Sequence, residues 1–329
     1  MCKLSWVYTF FTTFKDWHEQ IFKMKSLIVI FFMLTSLYFP VRAMTLQSPE
    51  FLQRYDSELL DVNGISTLYK NNNSLWLNKQ RLTNQAYDAL DFIATAPRHG
   101  LNAEHYHLST LRQLQQSDDN EASQYFDVLL TDGVLAFIHD LVVGRLEARL
   151  AEPEWFIPQA EFDAVDFLQQ ALLSPYLKTQ LNTLIPNSRE YVQLMAALAI
   201  EDNQFPDLAT ESIEQYDSLT EQAVRRFQSN HGLKDDGIMG PETRSELNVS
   251  AQDRVKQIKA TLERQRWMPT NLGARYVQVN LANYTLSAVE NNTKKLAMRI
   301  IVGNKYRQTP SFVSQITRLV ANPYWTVPL

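Results

Sequence analysis

Cysteine is almost absent from this sequence, because only Cys2 carries a thiol among 329 residues. Cys2 lies in a segment that we predict below to be removed on export. The mature chain is then predicted to hold no disulfide and no thiolate metal site. It also holds no cysteine nucleophile, so chemistry that requires a thiolate is excluded for residues 44–329.

Long apolar runs are also scarce, and after the first 45 residues none is long enough to span a bilayer. Near the amino terminus, Lys23 and Lys25 flank Met24 and residues 27–39 are apolar. Ala43 follows as a small residue at the predicted cleavage site. This order is typical of an export signal, with Met24 as the natural first residue. We therefore predict an extension and signal peptide at 1–43. An uncleaved membrane anchor is the alternative, and either one places the rest of the chain outside the cytoplasm.

Charge is modest overall but unevenly distributed. Apolar residues make up 45% of the chain and charged residues 20%, which favours two or three globular domains over disorder. Residues 254–329 hold twelve basic and two acidic side chains, whereas residues 44–253 hold fourteen basic and thirty-two acidic ones. The basic tail is predicted either to attract an anionic polymer or to pair with the acidic body. No recognition motif accompanies it, and with the export signal this argues against a nucleic-acid partner.

Apolar residues recur at helical spacing through most of the chain. The pattern predicts helical segments at 75–93, 127–143, 167–184, 191–200 and 256–266, with Pro97, Gly100 and Gly144 as stops. After Pro269 the period changes to alternation. It then predicts strands at 276–279, 284–289 and 296–302, and a fourth strand that starts at Leu319. The predicted fold class is therefore α+β, mainly α.

One stretch, Leu219–Asn248, packs several signals of local structure together. Its first part shows one helical face, with Thr220 placed as its cap and with Leu219, Ala223, Val224 and Phe227 pointing inward. Gly232 is placed to end this helix, because only glycine enters the left-handed region without steric cost. Asp235-Asp236-Gly237 is a turn signal, and Gly240-Pro241 restarts a helix.

This pattern resembles the core motif of the small three-helix peptidoglycan-binding domain. The resemblance implies that peptidoglycan, through its stem peptides and glycan, is the partner. Nine matching residues form the predicted site: Val224, Phe227, Gln228, Gly232, Asp236, Gly237, Gly240, Pro241 and Thr243. Ala223, Leu233, Leu247 and Asn248 complete the match. We predict that the site residues mostly hold the module's shape and that contacts to the wall lie around them.

A second resemblance covers the rest of the chain. Residues 266–269, 272–280, 298–310 and 322–328 resemble the beginning of an L,D-transpeptidase catalytic domain, and 99–106 and 129–145 resemble the helical scaffold of its large type. The implied layout is a helical scaffold domain at 44–187, a peptidoglycan-binding domain at 188–249, a connecting helix at 250–270 and the amino-terminal part of a β-rich catalytic domain at 271–329. The implied location is the periplasm.

The chemistry of that family depends on a cysteine thiolate that a histidine activates. It cleaves a stem peptide and transfers the acyl group to an amine of a neighbouring stem, which cross-links third residues. The family's histidine and S-x-G-C-x-R run lie downstream of the NP-x-W strand, and these 329 residues contain neither. We therefore interpret the chain as the amino-terminal portion of such an enzyme, inactive as it stands. A non-catalytic, exported peptidoglycan-binding protein is the alternative. An unpaired sheet edge predicts that residues 275–329 are marginally stable alone.

Three other groups of side chains invite different functions: His99, His105 and His107; the acidic pairs Asp235–Asp236 and Glu152–Glu154; and Tyr324 with Trp325. The histidines lack a further ligand at the spacing of a hydrolytic zinc site, which predicts a scaffold corner instead. The acidic pairs lie in turns or loops and do not favour a glycosidase. The aromatic pair is predicted either to be strand core or to line a stem-peptide groove. We predict no metal and no cofactor.

Overall fold

The computed structural model describes residues 59–117, 119–201, 216–304 and 306–322. The predicted export segment, and Tyr324 and Trp325 near the carboxyl terminus, lie outside the described residues. Within the described ranges, no helix combines the length and the apolar character that a membrane crossing requires.

The described ranges contain eleven α-helices and two short sheets. The helices are α1 Val62–Tyr69, α2 Asn84–Ile93, α3 Leu108–Leu114, α4 Asn120–Val142, α5 Ala148–Ala151, α6 Ala164–Leu172, α7 Leu177–Asn182, α8 Arg189–Glu201, α9 Ser218–Asn230, α10 Pro241–Leu247 and α11 Ala251–Arg266. Strands β1 Leu77–Asn78 and β2 Arg81–Leu82 form a small hairpin, and 3-10 helices cover Ala96–His99 and Ala103–Tyr106. The predicted class, α+β and mainly α, is confirmed.

Helix α4 is the centre of the scaffold core. Almost every residue from Phe126 to Leu141 is buried, so this helix is enclosed on all sides rather than amphipathic. Phe137 packs against Phe92 and Tyr106, with ring centroids 4.8 and 5.0 Å apart. The neighbours α1, α2, α3 and α6 all contact α4.

The buried polar groups of α4 are hydrogen-bonded, as burial requires. Asp127 accepts from the backbone N–H of Trp76 at 3.0 Å, and the Thr131 hydroxyl accepts from the indole N–H of Trp76 at 2.8 Å. Asp132 accepts from the backbone N–H of Leu60 at 2.9 Å. These bonds hold two loops against the central helix.

Two predicted helices differ from the structure. The segment predicted at 75–93 becomes helical only at Asn84, because the Thr83 side chain caps α2 by accepting from Ala86 N–H. The residues before it enter the hairpin and the loop that Asp127 holds. The helix predicted at 167–184 is divided into α6 and α7 around Pro175, which has no N–H for the helical ladder.

The carboxyl-terminal sheet has strands β3 Arg275–Asn280, β4 Thr285–Glu290 and β5 Thr293–Arg299, joined as an antiparallel meander. Strands β3 and β4 confirm the strands predicted at 276–279 and 284–289, whereas β5 begins and ends three residues before the predicted 296–302. The prediction of a fourth strand from Leu319 is wrong for the described residues, since 319–322 pair with no strand. The Leu319 side chain is 94% exposed, so no packing holds it in an extended ladder.

Helix α11 connects the scaffold to this sheet. Its Leu262 is buried against Tyr191 and Leu198 of α8. At its end, the Arg266 guanidinium is buried, donates to the backbone carbonyl of His99 at 3.0 Å and pairs with Glu263. Helix α11 is therefore fixed to the scaffold by apolar packing and by a buried ion pair.

Candidate functional site

Gln228 organises the predicted wall-binding motif from the inside. Its side chain is 1% exposed and lies on α9. The amide nitrogen donates to the carbonyl of Ile238 at 2.9 Å and to the Thr243 hydroxyl at 3.0 Å, and the amide oxygen accepts from Gly237 N–H at 2.8 Å. One side chain therefore ties α9 to the turn and to α10. We name residues 216–248 the wall module.

The turn of the wall module depends on two left-handed glycines. Gly232 has φ +69° just beyond α9, and Gly237 has φ +72°. The Asp236 carboxylate accepts from Ile238 N–H at 2.9 Å, and this backbone hydrogen bond is the main cause of a lowered Asp236 pKa. The acidic turn is thus a structural element of the module.

The second helix of the module starts as the sequence predicts. Gly240 is the N-cap of α10 and Pro241 is its first residue, where the missing N–H is not needed. Thr243 and Val224 are buried, and Phe227 stacks on His231 with ring centroids 3.9 Å apart. The predicted site residues therefore all belong to one small module, although Gly232 and Pro241 lie on its surface.

The first turn of α9 differs from the prediction in two respects. Asp217, not Thr220, is the cap, because its side chain accepts from Thr220 N–H at 2.8 Å. Leu219 is 70% exposed and Ala223 is exposed, so neither lies on the inward face. That face is defined by Val224 and Gln228, four residues apart, and Leu219 lies about 140° around the helix from Val224.

The sequence motif does not mark two exposed residues of the module. Tyr216 is 51% exposed and Ile238 is 65% exposed. Tyr216 lies beside the turn that carries Ile238, because the Tyr216 hydroxyl donates to the carbonyl of Gly237. Tyr216 precedes the motif, and Ile238 occupies one of its unspecified positions. No spacing rule could therefore have marked this pair.

The three scaffold histidines do not converge. The His99 ring is buried, and its Nδ1 lies 3.2 Å from the Tyr191 hydroxyl. His107 Nε2 lies 2.7 Å from the Asp132 carboxylate, whereas His105 packs edge-on against Tyr106. In the part of the chain that the structure describes, no group of three or more His, Cys, Asp and Glu side chains is arranged to hold a metal.

A cleft of about 550 Å³ lies between the scaffold and the carboxyl-terminal part of the chain. Glu152, Pro153 and Glu154 line it from the scaffold, and residues 302–304, 308, 309 and 311 form most of the other wall. The two walls are joined by backbone hydrogen bonds at Ser311. The acidic pair at 152 and 154 thus lies at the edge of a cavity rather than in a free loop.

Comparison with protein families agrees with the motifs. Three family models match: a scaffold domain at 63–198, a peptidoglycan binding domain at 199–247 and an L,D-transpeptidase catalytic domain at 274–329. Helix α8, which the predicted layout places in the peptidoglycan-binding domain, falls largely in the scaffold match. No curated protein matches the chain. The chain is similar, in this order along its length, to a scaffold domain, a peptidoglycan binding domain and a part of the L,D-transpeptidase catalytic domain.

Proposed function

We propose that this protein binds peptidoglycan through the wall module and acts at the cell wall, outside the cytoplasm. The observation that carries the proposal is the Gln228 network, which assembles the motif residues into one fixed turn between α9 and α10. A network in which the buried amide is satisfied on both sides holds a single conformation of that turn. The match to a peptidoglycan-binding family over 199–247 supports the same ligand.

The wall contacts are proposed to lie on the exposed face of the turn. Tyr216 and Ile238 present apolar surface there, and the Tyr216 ring is anchored by its hydroxyl. Apolar and aromatic side chains beside a few polar groups are the usual lining of ligand sites. Glu221 and Arg225 flank this face, where they form a hydrogen-bonded ion pair. This surface offers both apolar and charged contacts to a glycan with peptide stems.

A sedimentation assay with purified sacculi tests the binding proposal. We expect the wild-type chain to pellet with sacculi and the Ile238→Ser variant to pellet several-fold less, because an exposed contact is lost. Leu173→Ser is the matched control, since Leu173 is 79% exposed but lies in the scaffold. Equal pelleting of both variants would refute the contact surface, and no pelleting of the wild type would refute the function.

We further propose that these 329 residues do not catalyse acyl transfer. The support is chemical, because Cys2 is the only thiol and lies in the predicted export segment. Intact mass spectrometry after incubation with tetrapeptide muropeptides should show no acyl adduct. An adduct that resists washing in denaturant would contradict this proposal. Export itself is tested by fractionation, in which a cytoplasmic location would be the contrary result.

A further inference from the structure

The cleft between the scaffold and the carboxyl-terminal part has a wall that is fixed from both sides. Phe156 N–H donates to the carbonyl of Ser311 at 2.7 Å, and Ser311 N–H donates to the carbonyl of Glu154 at 2.9 Å. Between these bonds, Trp155 is 6% exposed and packs edge-on against Trp267, with centroids 5.3 Å apart. Glu154 is therefore held on a rigid backbone, and only its side chain is free to reorient.

The charge on this wall comes mainly from Glu154. Glu152 also lines the cleft, but its carboxylate pairs with the Arg264 guanidinium. Among the described residues, the carboxylate of Glu154 forms no ion pair, and its side chain is exposed. The described residues that line the cleft include no lysine and no arginine. A cation that enters the cleft thus meets one carboxylate that is not yet neutralised.

The opposite wall offers hydrogen-bond donors. The Asn304 side-chain oxygen already accepts from the backbone N–H groups of Tyr306 and Arg307, each at 3.0 Å. The Thr309 hydroxyl oxygen accepts from Gly303 N–H at 2.7 Å. Among the described residues, the amide N–H₂ of Asn304 and the hydroxyl hydrogen of Thr309 donate to no other group. Such donors suit carbonyl oxygens.

We propose that this cleft binds a peptide that carries a primary ammonium group, with the ammonium at Glu154 and peptide carbonyls at Asn304 and Thr309. The carboxylate on one wall and the donors on the other match a ligand that has both a cation and amides. The scaffold then contributes a binding residue to the carboxyl-terminal part and is more than a support. This deepens the proposed function, since it rests on peptidoglycan as the source of such peptides.

Ligand-observed NMR titrations of the full chain test the site with two model peptides. One is N-acetyl-Ala-Lys-Ala-amide, and the other is the same peptide acetylated on the lysine amine. At low salt we expect the wild type to bind the ammonium peptide about fivefold more tightly, as one partly exposed ion pair allows. Glu154→Gln should abolish this preference. The control Glu161→Gln, which changes an exposed glutamate outside the cleft lining, should retain it.

The result against the site is equally specific. A wild type that binds neither peptide saturably, or that binds both equally, overturns the proposal. So does a Glu154→Gln variant that keeps the preference. The sacculus assay tests binding by the wall module independently of the cleft. If the chain does not pellet with sacculi while the peptide preference holds, the proposed function is refuted and the proposed peptide site in the cleft is supported.

Discussion

His99 gives the protein a stability that is predicted to depend on pH in a defined window. The ring is 1% exposed, stacks on Tyr191 and lies near the Arg266 guanidinium. Burial first, and then the positive charges of Arg266 and Arg98, lower the pKa of His99 from 6.5 to about 4. The folded scaffold thus holds this imidazole neutral at pH values where an unfolded chain protonates it.

The sign of the effect follows from proton binding. Between pH 6.5 and about 4 the unfolded state binds more protons at His99 than the folded state does. The free energy of unfolding is therefore fully retained above pH 6.5 and falls as the pH decreases through this window. At about 1.4 kcal/mol per pKa unit, the limiting loss is about 3 kcal/mol, most of which is reached near pH 4.5.

Urea unfolding near pH 7 and near pH 4.5, followed by the helical circular dichroism signal, measures this loss. His99→Gln is the comparison, because glutamine stays neutral throughout and can still bond to the Tyr191 hydroxyl. Carboxylates titrate in both proteins, so their contribution cancels in the difference. We expect the variant to lose about 2–3 kcal/mol less than the wild type over this pH range. Equal losses in the two proteins would refute the argument.

Two further predictions concern the wall module and the connecting helix. Gly237→Ala should destabilise the module more than Gly232→Ala. Both glycines have positive φ, but only at Gly237 would an added Cβ lie 2.8 Å from a Glu221 side-chain atom. The shared strain is about 1 kcal/mol, and equal losses in hydrogen-exchange protection for the two variants would contradict the clash. Arg266→Met should lower the free energy of unfolding by about 3–5 kcal/mol in urea, because it leaves buried Glu263 without its cation. A loss below about 1 kcal/mol would be typical of a surface pair and would contradict that account.

Strong periodicity and special backbone residues were predictable from the sequence. The helix predicted at 127–143 coincides with α4 up to Val142, and Val143 is its C-cap. Gly232, Gly237 and Gly240-Pro241 stand where turn chemistry requires them. These signals are local, because each depends on residues within one or two turns of the chain.

The parts that were missed depend on contacts between distant residues. Trp76 is buried in a loop because Asp127, more than fifty residues away, binds its backbone. The cleft exists because Ser311 pairs with the backbone at Glu154, and no spacing rule connects these positions. The helical spacing predicts that Leu219, Ala223, Val224 and Phe227 share one inward face, but the packed face of α9 is narrower and excludes Leu219 and Ala223.

The edge-on contact of Trp155 with Trp267 makes the joint between the scaffold loop and α11 visible in solution. Two indoles held this close in a fixed arrangement couple their electronic transitions, so the pair contributes a circular dichroism signal that two separated rings do not give. Release of the loop separates the rings and should remove this contribution. The protein therefore carries a built-in optical reporter for the attachment of Glu154, one that needs no label.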